Sequence, residues 1–217
     1  MPYTDRWDVY KGGTVSVALD TLTKIIGTSS LAFVSTNTQS QVNLVPTLAG
    51  GLPQPALRGK IRNVIRAVSL GSGARRFGIA ALQSVRNITV SGNAYLVYID
   101  GSELIIGKTA AGLTGAITIL KRVGFTLITG LNYVIEFEWN SDNVQLAGVD
   151  LLAGVRAITD LQSNQTEFTN MPLTTKLHVI DTTAPLTTTL GQGPIFVTPA
   201  SGGTVDIRYD STVLFAV

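Results

Sequence analysis

No cysteine occurs in the 217-residue chain, which excludes a disulfide framework and a thiolate metal site. That is compatible with folding in a reducing cytosol. Charge is scarce too. Asp, Glu, Lys and Arg make up 14% of the residues, where about a quarter is usual. The net charge is only +2, so no global field points to nucleic acid. No run of about 18 or more apolar residues exists, so no membrane-spanning helix is expected. The opening MPYTDRWDVY lacks a basic segment followed by an apolar one, and no Sec-type signal is expected. Histidine is limited to His178, which would need partners close by to serve a triad or a metal. The G-S-G at 71–73 and G-G at 202–203 read as turns and do not match a phosphate-binding loop.

What is abundant is apolar. Hydrophobic residues make up 45% of the chain. A sequence so rich in them and so poor in charge either has a large core or buries surface against partners. Its polar residues are largely Thr, Ser, Asn and Gln, and the β-branch of threonine suits a pleated surface. At this length one all-β domain over 1–217 is the natural expectation.

The clearest strand signal lies in 125–154, FTLITGLNYVIEFEWNSDNVQLAGVDLLAG, read as three short strands joined by polar turns. Tyr133, Ile135, Phe137 and Trp139 fall on one face of a strand, and Val134, Glu136, Glu138 and Asn140 on the other. The large residues predict the inner face, which leaves both glutamates on the solvated side. Further strands are predicted at 5–22 around a turn at 11–13, then at 31–35, 77–85, 87–91 and 94–99. Asp100-Gly101 is a hairpin signal before 103–107. Others follow at 117–123, 154–161, 174–180, 195–198 and 204–215. Segments 37–41, 50–55, 112–115, 163–172 and 181–193 read as loops. The segment 58–70 reads two ways. Apolar residues at 61, 64, 65 and 68 fit a helix, while β-branched residues between Gly59 and Gly71 fit a strand. Turn signals give about thirteen or fourteen strands, and hence an antiparallel β-sandwich.

The run from Phe125 through Glu138, the polar turn Asn140-Ser141-Asp142-Asn143 and the following VQLAGVDLLAGV resemble the central strands of the concanavalin A-like lectin/glucanase superfamily, laminin-G-like members included. In that likeness Val144 and Leu146 form a side-chain ladder. Phe77-Gly78-Ile79 is similar to its middle strands, and GGTVDIRYD at 202–210 to its closing strand. The resemblance implies a single antiparallel sandwich of jelly-roll type, and it tips 58–70 to strand. Fold alone does not imply function. A second resemblance is compositional. Cysteine-free, Thr/Ala/Gly/Val-rich chains of low charge are similar to bacteriophage virion structural proteins, among them capsid decoration (cement), tail and fibre components.

Candidate chemistry is sparse. Glu136 and Glu138 stand two apart on one strand, as paired carboxylates of glycosidases do. The superfamily's hydrolases carry a motif resembling E-x-D-x-x-E, and here E-F-E-W-N-S-D has no third acid at the matching place. Asp100, Glu103, Asp142, Asp150 and Asp181 could supply oxygen ligands to calcium, yet none forms a dense acidic loop, and turn chemistry accounts for Asp100 and Asp142. No metal or cofactor is expected. The charge pattern that stands out is 58–86, with Arg58, Lys60, Arg62, Arg66, Arg75, Arg76 and Arg86 and no acid. In a strand, Arg58, Lys60, Arg62 and Arg66 share a face. These residues, with Arg75 and Arg76, are the candidate partner-binding set, unless they are simply paired to neighbouring acids.

These observations lead to a non-enzymatic virion structural protein. It would be made in the host cytoplasm, form a homo-oligomer, and act through interfaces with capsid or tail proteins. Surface glycan is a further partner. No membrane or nucleic-acid partner is expected, since aromatic residues hardly interleave the basic segment. The alternative is a carbohydrate-binding, lectin-like module. It would need Trp7, Tyr133, Trp139 or Tyr209 to point outward, and the alternation turns Tyr133 and Trp139 inward.

Overall fold

The computed structural model describes residues 6–22, 30–36, 38–47, 56–73, 75–100, 102–140, 148–158, 171–199 and 201–215. Fourteen strands are formed by them: β1 Trp7–Gly12, β2 Val15–Asp20, β3 Ser30–Thr36, β4 Ser40–Pro46, β5 Arg58–Ser69, β6 Arg76–Gln83, β7 Ala94–Asp100, β8 Glu103–Thr109, β9 Ile117–Gly124, β10 Asn132–Asn140, β11 Val149–Ile158, β12 Thr175–Asp181, β13 Gly191–Thr198 and β14 Thr204–Phe215. They pair into two seven-stranded antiparallel sheets. The back sheet runs β1-β4-β13-β6-β7-β8-β9, and the front sheet β12-β11-β10-β5-β14-β3-β2. This is the antiparallel sandwich that the strand count and alternation lead to, of the jelly-roll type that the resemblance implies.

Alternation sets the inner layer. Tyr133, Ile135, Phe137 and Trp139 of β10 point between the sheets and are at most 1% exposed. They meet Phe77, Ile79, Val97 and Phe196 of the back sheet in one core cluster. Phe196 links the sheets, lying 5.6 Å from the Phe33 ring and 5.7 Å from Phe77. Burying each such side chain contributes about 2–3 kcal/mol. Gly59 lies opposite Trp139 in register, and a Cβ there would come within 2.5 Å of the indole. Glycine at 59 therefore lets the indole lie flat on β5, where its Nε1 donates to the Ala56 carbonyl at 3.0 Å.

Segment 58–70 is strand. It lies between β10 and β14 in mid-sheet, where β-branched residues fit both faces. Three boundaries differ from the sequence reading. First, 40–46 is a strand although its start reads as polar loop. Val42 and Leu44 face the core, while Asn43 is buried on the other side and exchanges hydrogen bonds with Gln83 at 3.2 and 3.1 Å. Second, 87–91 is not strand. The Asn87 side chain accepts from Thr89 N–H (3.1 Å) and Oγ1 (2.7 Å), a local turn that competes with sheet pairing. Third, 125–131 is not strand, and Gly130 holds a φ of 85° that ends any extension. The proposed ladder of Val144 and Leu146 lies outside the described residues, as does most of the 163–172 loop.

Candidate functional site

The two outer faces are unlike. On the back sheet, the connections 84–93 and 110–116 fold over the strands and bring Ile88 and Leu113 down onto Ala80, Ala94, Leu96, Tyr98, Ile105, Ile195 and Val197. The two connections hold each other: Leu113 N–H donates to Ile88 O, and Gly112 N–H to Gly92 O, both at 2.8 Å. That face is closed by a second small core.

The outer face of the front sheet is charged, and cross-strand register orders its charges. Arg62 and Lys60 of β5 stand directly opposite Glu136 and Glu138 of β10. Arg62 Nε donates to Glu136, and Lys60 Nζ lies 3.5 Å from Glu136 and 3.8 Å from Glu138. Next in the sheet is β11, which places only Gly154 and Leu152 beside those glutamates. Beyond it β12 places Lys176 and His178. A column without long side chains between two charged columns leaves a hollow. Glu136, Glu138, Leu152, Ala153, Leu173, Lys176, Leu177 and His178 line this cleft of about 270 Å³.

One wall is the strap 171–174. Met171 and Leu173 pack on a satellite cluster of Val64, Val134 and Ile158 on the outer face. Arg156 Nη1 donates to the Pro172 carbonyl at 3.0 Å and Thr174 Oγ1 to the Val155 carbonyl at 3.3 Å. A Cβ at Gly154 would stand 2.3 Å from Leu173 Cδ1, so the absent side chain lets Leu173 lie against β11. On the far side His178 Nε2 is 2.7 Å from Asp150 Oδ1. Lys176 makes no ion pair among the described residues. The cleft thus offers carboxylate acceptors, an ammonium donor, an imidazole oriented by a carboxylate, and two leucine surfaces.

The residues singled out in the sequence are divided by the structure. Arg58, Lys60, Arg62 and Arg66 share the outer face of β5, each opposite a β10 residue: Asn140, Glu138, Glu136 and Asn132. Arg62 is buried, at 6% exposure, and Arg58 is exposed. Arg76 begins β6 of the other sheet and Arg75 directly precedes it. Arg75 donates to the carbonyls of Gly71 and Gly73, and Arg76 donates to the Leu113 carbonyl and lies over the Tyr98 ring at 5.9 Å. Arg86 binds Asp8 at 2.6 Å. Glu136 is more enclosed than a solvated face implies, with 13% of its side chain exposed.

The acids considered for calcium are dispersed. Asp100 accepts from Arg75 N–H, Glu103 pairs with Arg122, and Asp150 with His178. Asp142 lies outside the described residues. Asp181 is buried and takes Tyr95 Oη–H at 2.7 Å and Lys108 Nζ at 2.6 Å. Burial opposes its ionisation, but the bonds from Lys108, Tyr95 and Thr183 N–H outweigh that and hold its carboxyl below the ordinary value. Burial, with the Asp181 bond, pushes the Tyr95 phenol well up. No group of three metal-ligating side chains gathers among the described residues. Tyr133, Trp139 and Tyr209 are core residues, and half-buried Trp7 packs against the core, so none of them is a stacking platform on the cleft.

Sequence reasoning missed Lys176, Leu152, Leu173 and the His178–Asp150 pair as a site. Alternation in 174–180 does put Lys176 and His178 on one face. Nothing in the sequence shows that β12 lies two strands from β10.

No protein-family model matches the chain, and no curated protein matches it in sequence. Solved structures do match over nearly all of it. They include the marine PL-14 alginate lyase from Aplysia kurodai (TM-score 0.60, 8% identity, covering 96% of this chain and 90% of the lyase). The carbohydrate-binding module CBM66 from Bacillus subtilis gives 0.53 at 9% identity, covering 94% and 96%. The carbohydrate recognition domain of Emp46p, in its metal-free form, gives 0.51 at 10%, covering 99% and 89%. The likeness is one of fold, the concanavalin A-like sandwich of lectins, carbohydrate-binding modules and lyases. It corrects one expectation. The absence of a hydrolase motif does not make the chain a non-enzyme, because enzymes stand among its structural neighbours and the fold is compatible with one. The incomplete carboxylate motif at Glu136 and Glu138 weighs against a glycan hydrolase or lyase but excludes neither. None of the three structures just named is a virion protein.

Proposed function

We propose that the protein is a carbohydrate-binding β-sandwich whose ligand, a polysaccharide, lies in the cleft over β11. The observation that carries this is the cleft spanning β10 to β12 on the outer face of the front sheet, lined by hydrogen-bonding side chains and by leucines. Sugars need such a mixture: paired donors and acceptors for hydroxyls, and apolar surface for the C–H faces of the ring. Named neighbours of the same architecture are a carbohydrate-binding module and a carbohydrate recognition domain, which supports the reading. Affinity electrophoresis through gels containing soluble polysaccharides tests it. Retardation by at least one polymer is expected, reduced in Glu138→Gln, Lys176→Ala and His178→Ala. A panel with no retardation at all would sink the proposal.

A second reading keeps the cleft and adds turnover. His178 beside Asp150 at 2.7 Å is an imidazole oriented by a carboxylate, the arrangement that suits proton transfer. Product formation from a bound polymer, lost in His178→Ala even at polymer concentrations that saturate the variant, is the expected sign. The virion reading, with a homo-oligomer docking through Arg58, Lys60, Arg62 and Arg66, rests on composition and draws no support from the structural likenesses. A strictly monomeric protein in size-exclusion chromatography would count against it.

A further inference from the structure

Building on the glycan-binding reading, we infer that the cleft takes a neutral polysaccharide and discriminates against polyanionic ones. The argument is the arrangement of charge on the front face. A polyanion binds by meeting cations that nothing else neutralises. Here the bases of β5 face the carboxylates of β10 across the strand pair, Arg62 to Glu136 and Lys60 to both Glu136 and Glu138. The imidazole of His178 faces Asp150. That leaves Lys176 as the cleft's unpaired cation among the described residues. Against it stands Glu138, whose carboxylate is 3.8 Å from its one cation and whose side chain is 39% exposed.

Glu138 and Glu136 also form a wall of the cleft. An acidic polymer seated on Leu152 would run its carboxylates along that wall, like charge against like charge. A neutral sugar meets no such penalty. Each hydroxyl both donates and accepts, so Glu138 can accept from it while Lys176 donates to it. The ring's C–H face can rest on Leu152 and Leu173, which take the place of the aromatic platform that the inward turn of Tyr133 and Trp139 removes.

The experiment is affinity electrophoresis of the full chain, at low and high salt. The neutral probes are laminarin, xylan and galactomannan, and the acidic ones alginate and polygalacturonate. Expected is binding to a neutral polymer that changes less than about twofold with salt, and acidic polymers bound about tenfold more weakly or not at all. Glu138→Lys, folded as judged by circular dichroism, should gain about tenfold in affinity for polygalacturonate at low salt and lose that gain at high salt. Tighter wild-type binding to alginate or polygalacturonate, with steep loss in salt, would overturn the assignment while leaving glycan binding intact. So would a Glu138→Lys variant that gains nothing. Binding to none of the five polymers would remove the parent reading as well.

Discussion

The two outer faces of this sandwich are built from the same kind of strand and end in opposite states. On the back sheet, outward positions are apolar (Leu96, Tyr98, Ile105, Ile195), and two connections cover them with Ile88 and Leu113. On the front sheet, outward positions near the cleft are charged, and neutralisation happens within the face, between β5 and β10. The back face solves its exposure by burial and the front face by pairing. Burial covers the middle of the back sheet. Pairing leaves polar groups at the surface, and the small residue Gly154 in the adjacent column makes the hollow.

The contrast can be broken from either side. The largest effect is expected at the back. Ile88→Asp would put an unpaired carboxylate into the small core and cost about 3 kcal/mol or more. Urea unfolding checks it, and the surviving folded protein should still bind polysaccharide, since the cleft is on the other sheet. On the front, Arg62→Ala strands the enclosed Glu136 with Lys60 alone, at 3.5 Å, and should cost about 3 kcal/mol. Replacing both Arg62 and Glu136 by leucine should return most of that stability in the same assay.

Gly154→Ala sharpens the role of the hollow. Leu173 must move from β11, at about 1–3 kcal/mol, and binding should fall with it. Adding Leu173→Ala should relieve the clash. Gly124→Ala, where a Cβ meets nothing within 4 Å, is the matched control.

Asp181→Asn tests a tie between the sheets, because Asp181 of β12 holds Tyr95 of β7 and Lys108 of β8. A loss of about 1.5 kcal/mol is expected at neutral pH. The sign of the pH dependence follows from the lowered carboxyl. Its contribution is complete above the ordinary aspartate value, near 4, and disappears as pH falls through the lower folded value. Thermal melts in acid should therefore converge for wild type and variant. The smallest effect on stability is expected for His178→Ala, within about 0.5 kcal/mol for a side chain 57% exposed, together with a roughly tenfold loss of glycan affinity.

Much of the fold was legible because alternation is a local property. Tyr133 to Trp139 turn inward, Glu136 and Glu138 turn outward, and 204–215 is a strand from end to end. Strand 40–46 escaped because its buried polar side chain, Asn43, is satisfied by Gln83, forty residues away. The cleft escaped for a related reason. The sequence shows a basic segment at 58–66 and two acids on β10, but only register puts Arg62 against Glu136 and Lys60 against Glu138. It likewise takes the sheet order to assign Arg76, with Arg75 just before it, to the other sheet from the four bases of β5.

The places of β13 and β14 in the sheets have a consequence for how the chain folds. In the back sheet β13 separates β4 from β6, and in the front sheet β14 separates β3 from β5. Until residues 191–215 have been synthesised, β4 cannot be joined to β6 nor β3 to β5, although β1 can pair with β4, β2 with β3, and the strands from β5 to β12 among themselves. A nascent chain emerging from the ribosome therefore carries two incomplete half-sandwiches with unpaired edges. Closure comes as a late, long-range zippering by two strands, one into each sheet, and folding governed by such distant pairings is slow.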